Sequence, residues 1–135
     1  MKFREFTTKK STTILAGKSA ENNEQLAKQI KPNEEVFHTA AIGSPFVNIK
    51  GKAKLGDIKQ AAIICARYSK EWRDNKKDIL VHRFKGKDIY KNKTMKPGTF
   101  GVKKFKVIKV KKKDILKLEK SFIATKSTQS LGRKK

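Results

Sequence analysis

Apolar and polar positions alternate along much of this chain, and helical spacing replaces alternation in only three places. Residues 2–7 alternate, Lys9-Lys10-Ser11 follows as a polar turn, and residues 12–16 form a second β-prone run ended by Gly17. The chain therefore opens on a hairpin. Ser19 is placed to cap a short helix, with Glu21 and Glu24 near its positive end and Leu26, Ala27 and Ile30 on its apolar face, stopped before Pro32. Residues 35–39 and 46–50 read as two strands around Ala-Ala-Ile-Gly-Ser-Pro, and a basic loop follows over 51–56.

The clearest helix spans 58–73, with Asp57 as its cap. Ile58, Ala61, Ala62, Cys65, Tyr68, Ser69 and Trp72 hold 3- and 4-residue spacing for four turns. Its small residues predict close packing on a sheet, and Cys65 on that face predicts a buried structural thiol. Residues 78–84 form a strand, Lys85-Gly86-Lys87 turns into Asp88-Ile89-Tyr90, and Lys96-Pro97-Gly98-Thr99 is a second turn. In the last strand, 105–110, Phe105 and Val107 share one face while Ile108 and Val110 fall on the other. Either both faces are covered there or a bulge resets the phase. Residues 112–120 form a short basic helix carrying Ile115, Leu116 and Leu118. Strands that outnumber helices and cluster in hairpins predict an α+β fold, a mostly antiparallel sheet packed by two or three helices. A single domain over 1–120 is expected, followed by an aperiodic Ser, Thr and Lys-rich segment, 121–135, read as a basic disordered tail.

Charge changes the picture from fold to partner. Thirty-five Lys and Arg stand against twelve Asp and Glu, a formal net charge of +23. Residues 1–80 carry 16 basic and 9 acidic side chains and residues 81–135 carry 19 and 3, which points to a binding surface built mainly by the C-terminal part. Such a field selects polyanions, nucleic acid before an anionic membrane. A lysine-rich genome or a hot habitat is the bland alternative, since 30 of the basic residues are Lys, but Glu is not raised alongside. The single Cys65 excludes an internal disulfide. No segment approaches about 18 apolar residues and the N-terminus lacks an apolar signal core, so a cytoplasmic protein without a membrane partner is expected.

Several short motifs fall in a recognisable order: Leu15-Ala16-Gly17-Lys18-Ser19-Ala20 with Asn22-Asn23, Val36-Phe37-His38, Gly43-Ser44-Pro45-Phe46-Val47, Ala66-Arg67-Tyr68-Ser69-Lys70, and Lys96-Pro97-Gly98 before a Lys-rich strand. Over residues 3–115 the chain resembles the NFACT-R domain in its stand-alone form. The resemblance implies an RNA-binding module, with ribosomal or transfer RNA and the large ribosomal subunit as partners, and a link to ribosome quality control or RNA modification. The family's usual aromatic-Phe-His and Pro-Gly-Ser-His segments are altered here. Val36 replaces the first aromatic and Gly43-Ser44-Pro45-Phe46 replaces the second segment, so a paired-histidine site does not carry over.

The residues themselves leave His38 open between a general base, an imidazole bonded to the backbone of the Gly-Ser turn, and a contact to phosphate or base. Metal binding finds too few partners, with only His82 and scattered carboxylates available. Gly43-Ser44-Pro45 and Gly17-Lys18-Ser19 offer backbone N–H groups in tight turns, the second at a helix start, and either can hold a phosphate or be a plain turn. The strongest candidate is Val102–Lys113, with seven lysines in eleven positions from Lys103. Interleaved apolar residues would hold those lysines in register, and Arg83, Lys85 and Lys87 extend the stripe. The expected RNA-binding residues are thus Lys18, His38, Ser44, Arg83, Lys85, Lys87, Lys103, Lys104, Lys106, Lys109 and Lys111, with no catalytic residue, cofactor or metal. Lys lacks Arg's bidentate fork, so backbone and shape recognition are favoured over base reading. Two other classes remain open: a DNA-binding nucleoid-type protein, for which charge alone serves, and an RNA-processing enzyme centred on His38.

Overall fold

The computed structural model describes residues 2–97 and 99–121. In chain order the elements are β1 (Arg4–Thr7), β2 (Thr13–Ala16), α1 (Ala20–Lys28), β3 (Glu35–Thr39), β4 (Val47–Ile49), α2 (Asp57–Arg67), α3 (Lys70–Asp74), β5 (Ile79–Lys85), β6 (Ile89–Tyr90), β7 (Gly101–Val102), β8 (Lys106–Val110) and α4, over residues 112–121. Of the expected tail, Ser121 closes α4 and the remainder lies outside the described residues.

Six strands form one sheet in the order β1-β2-β4-β3-β5-β8, with antiparallel pairs throughout. The fold is α+β, as the hairpin pattern predicts. Period-2 alternation sorts the strands onto two faces. Ile14, Ala16, Phe37, Val47, Ile49, Ile79, Val81 and Val110 meet α2 through Ala61, Ala62, Cys65 and Ala66, where small side chains let the helix approach closely. Ile115 of α4 and Trp72 of α3 complete that core. The opposite face buries a smaller cluster, in which Leu26 of α1 packs with Val36, Phe46 and Phe84. Phe100 and the β6–β7 pair lie against this second cluster. Gly101 there faces the Tyr90 ring so closely that an added Cβ would lie 2.1 Å from Cζ.

Two helix boundaries differ from the expected ones. Gly56, with φ at +91°, occupies the cap position of α2, and Asp57 is its first residue, accepting from the Lys54 N–H at 2.8 Å. The run 58–73 is two helices. Ser69 Oγ donates to the Ala66 carbonyl at 2.7 Å and accepts from the Trp72 N–H at 3.1 Å, closing one helix and capping the next. The apolar spacing continues across this break because Trp72 still reaches the same core. Around Ser19 the expectation holds: its hydroxyl accepts from the Asn22 N–H at 3.1 Å.

Phe105 and Val107 resolve the phase puzzle of the last strand without a bulge. Ile108 and Val110 face the α2 core, whereas Phe105 and Val107 lie on the other face and are exposed. Among the described residues no helix covers that part of the sheet.

Candidate nucleic-acid interface

Beside α1 the second face of the sheet opens into a cleft of about 1090 Å³. Its floor is aromatic. His38 and His82 are direct partners across β3 and β5, and both line the cleft with Phe46, Phe84, Phe100 and Phe105. His82 stacks on Phe105 with ring centroids 3.8 Å apart and planes 19° apart. His38 meets Phe46 edge-on at 5.5 Å, and Phe46 lies 5.0 Å from Phe100. An aromatic row therefore crosses the sheet from its β8 edge toward α1.

His38 has its Nδ1 2.8 Å from the carbonyl of its own neighbour, Thr39, to which the Nδ1–H donates. Burial pushes its pKa below the usual 6.5; the Thr39 carbonyl opposes this and the His82 charge adds to it. Burial lowers His82 as well. Both imidazoles are thus neutral near pH 7. His38 makes no hydrogen bond to the Gly43–Pro45 turn, contrary to the structural option raised from the sequence. Other residues hold that turn. The Thr39 N–H donates to Ser44 Oγ at 3.0 Å, Asn23 donates to the Ser44 carbonyl at 3.4 Å and accepts from the Phe46 N–H at 3.1 Å, and the Lys70 N–H donates to the Gly43 carbonyl at 2.6 Å. Gly43 has φ at +96°, and a Cβ there would lie 2.9 Å from the Lys70 Cβ. Asn23, absent from the sequence-based candidates, is the organiser of this corner. Its only sequence signal was its place in the Asn22-Asn23 pair.

The two turns expected to hold phosphate have much of their polar equipment engaged within the chain. The Gly17 N–H donates to the Phe46 carbonyl at 3.0 Å, and the Lys18 N–H to Asn22 Oδ1 at 2.8 Å. Ser44 Oγ, besides accepting from Thr39, donates to the Pro45 carbonyl at 3.3 Å. The Lys18 side chain is exposed at the cleft wall.

A basic rim surrounds the cleft. Arg4, Lys18, Arg67, Lys70, Arg73 and Lys76 line it, all from the first 80 residues, so the positive surface is not confined to the C-terminal part. The Arg4 and Arg67 guanidinium carbons lie 4.2 and 5.0 Å from the Tyr68 ring centre. Lys76 lies 4.8 Å from the Trp72 ring centre. Glu119 of α4 is the acid of this wall; it pairs with Arg67 at 2.8 Å and accepts from Trp72 Nε1 at 3.0 Å.

The lysines of the last strand divide between faces, because residues 106 and 109 differ by an odd number in a period-2 element. Lys109 lies on the cleft side beside Leu80, and Lys106 on the α2 side beside Arg83. Lys103 and Lys104 stand exposed just before the strand, Lys111 just after it, and Lys87 on the turn after β5. Arg83 and Lys85 are partly exposed but engaged in ion pairs. Arg83 grips Glu35 through two bonds of 2.9 and 3.0 Å, and Lys85 reaches the same carboxylate at 3.0 Å. Although burial raises the Glu35 pKa, these two cations win and hold it below its ordinary value.

His38, Ser44 and Glu119 share the cleft, the gathering that an RNA-processing enzyme requires. They are not hydrogen-bonded to one another: His38 is bonded to Thr39, Ser44 to Thr39 and Pro45, and Glu119 to Trp72 and Arg67. Cys65, buried under the turn with its thiol pushed up to about 12 by desolvation, is inert as a nucleophile. Among the described residues no group of three or more His, Cys, Asp and Glu side chains is placed to hold a metal ion, and no helix is long and apolar enough to cross a membrane.

An aromatic floor with a cationic rim suits stacked bases and phosphates. Comparison with known families agrees: the model of the NFACT protein RNA binding domain matches residues 2–104. The chain belongs to this NFACT RNA-binding family. Among solved structures, the C-terminal part of the fibronectin/fibrinogen-binding protein from Streptococcus suis is similar at 27% identity with a TM-score of 0.74. The match covers 82% of this chain and 46% of that one, so this chain spans about half the length of that relative. The comparison with curated proteins returns no match. The NFACT assignment makes the α+β domain an RNA-binding module, and the cleft and the β8 edge are its candidate contact surfaces.

Proposed function

We propose that this module is non-enzymatic and cytoplasmic and grips structured RNA, ribosomal or transfer RNA, through its phosphates along the basic rim and the β8 edge. The large ribosomal subunit, in ribosome quality control or RNA modification, is the setting that the family resemblance suggests. One observation carries the reading: an aromatic-floored cleft lined by Arg4, Lys18, Arg67, Lys70, Arg73 and Lys76, with Lys103, Lys104 and Lys109 exposed along the adjoining β8 segment. Cations mounted on strands and helix ends meet a phosphate backbone with less ordering cost than a flexible tail. The neutral, backbone-bonded His38 lies on the floor as a packing residue that a base can approach. Arg83 and Lys85 support the sheet through Glu35, and Lys87, Lys106 and Lys111 add to the long-range field.

Crosslinking in cells followed by sequencing of the bound RNA tests the assignment. Enrichment of ribosomal or transfer RNA is expected. A profile that follows transcript abundance, or recovery of DNA in preference to RNA, would overturn it in favour of a nucleoid-type role.

A further inference from the structure

The uncovered face at the β8 edge is where the molecule departs from ordinary economy. Leu80, Phe105 and Val107 are 46%, 47% and 56% exposed, and they are contiguous across β5 and β8. Isolated exposed apolar residues need no explanation, but a contiguous patch built around an aromatic stack does. His82 stacks on the Phe105 ring at 3.8 Å with planes 19° apart, and about half of Phe105 stays exposed. Lys109, directly opposite Leu80, lies on the same face with its Nζ 3.9 Å from Asp78 Oδ2, and Lys103 and Lys104 are exposed just before the strand. These neighbours identify the occupant. Single-stranded nucleic acid sites combine aromatic faces on which bases stack with cations that track the backbone, the combination found here.

We propose that an unpaired RNA base stacks on the exposed part of Phe105, with Lys103, Lys104 and Lys109 holding the flanking phosphates. This rests on the RNA-binding reading above and sharpens it: the module selects RNA that presents an unpaired nucleotide, at a loop, bulge or end, over continuous duplex. Stacking is indifferent to base identity because every base has a π-face, so the preference is for structure and not for sequence. A ring already stacked on His82 lowers the ordering cost of the first stacked base. From Phe105 the row of His82, His38 and Phe46 leads the strand into the cleft.

The test uses two RNAs of equal length, a stem-loop with 2-aminopurine in its loop and a blunt duplex, titrated against the full chain and against Phe105→Leu and Phe105→Trp. Wild type should bind the stem-loop more tightly and change its 2-aminopurine emission on binding. Phe105→Leu keeps apolar volume but removes the ring, and should lose about 5- to 150-fold on the stem-loop while leaving duplex affinity alone. Phe105→Trp should retain the preference. Because the side chain is exposed, all three should melt alike, which separates lost recognition from lost folding. Equal affinity of wild type for the two RNAs overturns the proposal, as does a Phe105→Leu variant that keeps its stem-loop preference; either leaves the RNA-binding reading standing. A Phe105→Leu variant that loses self-association but not RNA affinity assigns the face to a second copy of the chain and also overturns it. Failure of wild type to bind either RNA defeats the RNA-binding reading itself.

Discussion

Replacing Asn23 with Ala should loosen the corner where α1, β4 and the Gly43–Pro45 turn meet. Its side chain accepts from the buried Phe46 N–H at 3.1 Å and donates to the Ser44 carbonyl at 3.4 Å. In the Ala variant the Phe46 N–H is left without an acceptor away from water, a cost of about 1–3 kcal/mol. The Ser44 bond is long and contributes little. Ala is the better helix former at this position by roughly 0.5 kcal/mol, which offsets part of the loss. The net destabilisation is about 0.5–2.5 kcal/mol, and for a domain of this size that lowers Tm by roughly 2–12 °C. Thermal melting followed by circular dichroism measures it, with Gln25→Ala, an exposed change on the same helix, as the control. An Asn23→Ala variant that melts with wild type would refute the reasoning and return the ordering of the turn to Ser44 and Lys70 alone.

Lys104→Ala combined with Lys109→Ala should keep Tm, weaken binding to many RNAs alike and make the salt slope shallower by about 1.4–1.8, as two lost phosphate contacts require. Lys70→Ala with Arg73→Ala should do the same from the opposite rim; no loss there would remove the cleft from the interface. On acidification, His38 and His82 should destabilise the fold. Both have folded pKa values below their unfolded value of 6.5, so the unfolded chain binds more protons, and the stability present above pH 6.5 falls away as pH drops through the folded values. A His38→Gln/His82→Gln variant should show a flatter Tm between about pH 7 and pH 5. Glu35 acts lower on the scale. Arg83 and Lys85 depress its pKa, so its contribution is present above its usual value of 4.5 and lost as pH falls below it, and Glu35→Gln should be less stable at neutral pH with a smaller acid-side slope.

Where physics acts locally, the chain declared itself. Alternation marked β3 and β5, Ser19 marked the start of α1, and the small-residue stripe of Ala61, Ala62 and Cys65 marked the helix on the sheet. The break at Tyr68–Ser69 was hidden because the core claims both Cys65 and Trp72 at continuous helical spacing, while the cap that ends the helix is a single hydroxyl. The β6–β7 pair is two residues long on each side, too short for any period to register. Placement of β4 between β2 and β3 depends on long-range pairing that no local pattern encodes. The site was legible in its charge but not in its geometry. Arg4, Lys18, Arg67 and Lys76 are far apart in the chain and meet only around the cleft, and the dense lysine run turned out to be shared between two faces. Phe105 and Val107 were visible as a conflict of phase, and that conflict marks the open face.

The central claim is that a surface of fixed cations recognises RNA. Titration of one structured RNA and a duplex DNA of matched length, from about 50 to 300 mM salt, tests it most directly. With roughly five phosphate contacts, log K against log[salt] should fall with a slope of about −3.5 to −4.5, and RNA should bind more tightly than DNA at every salt concentration. Affinity that does not change with salt, equal affinity for DNA, or no RNA binding at about 50 mM salt would contradict it.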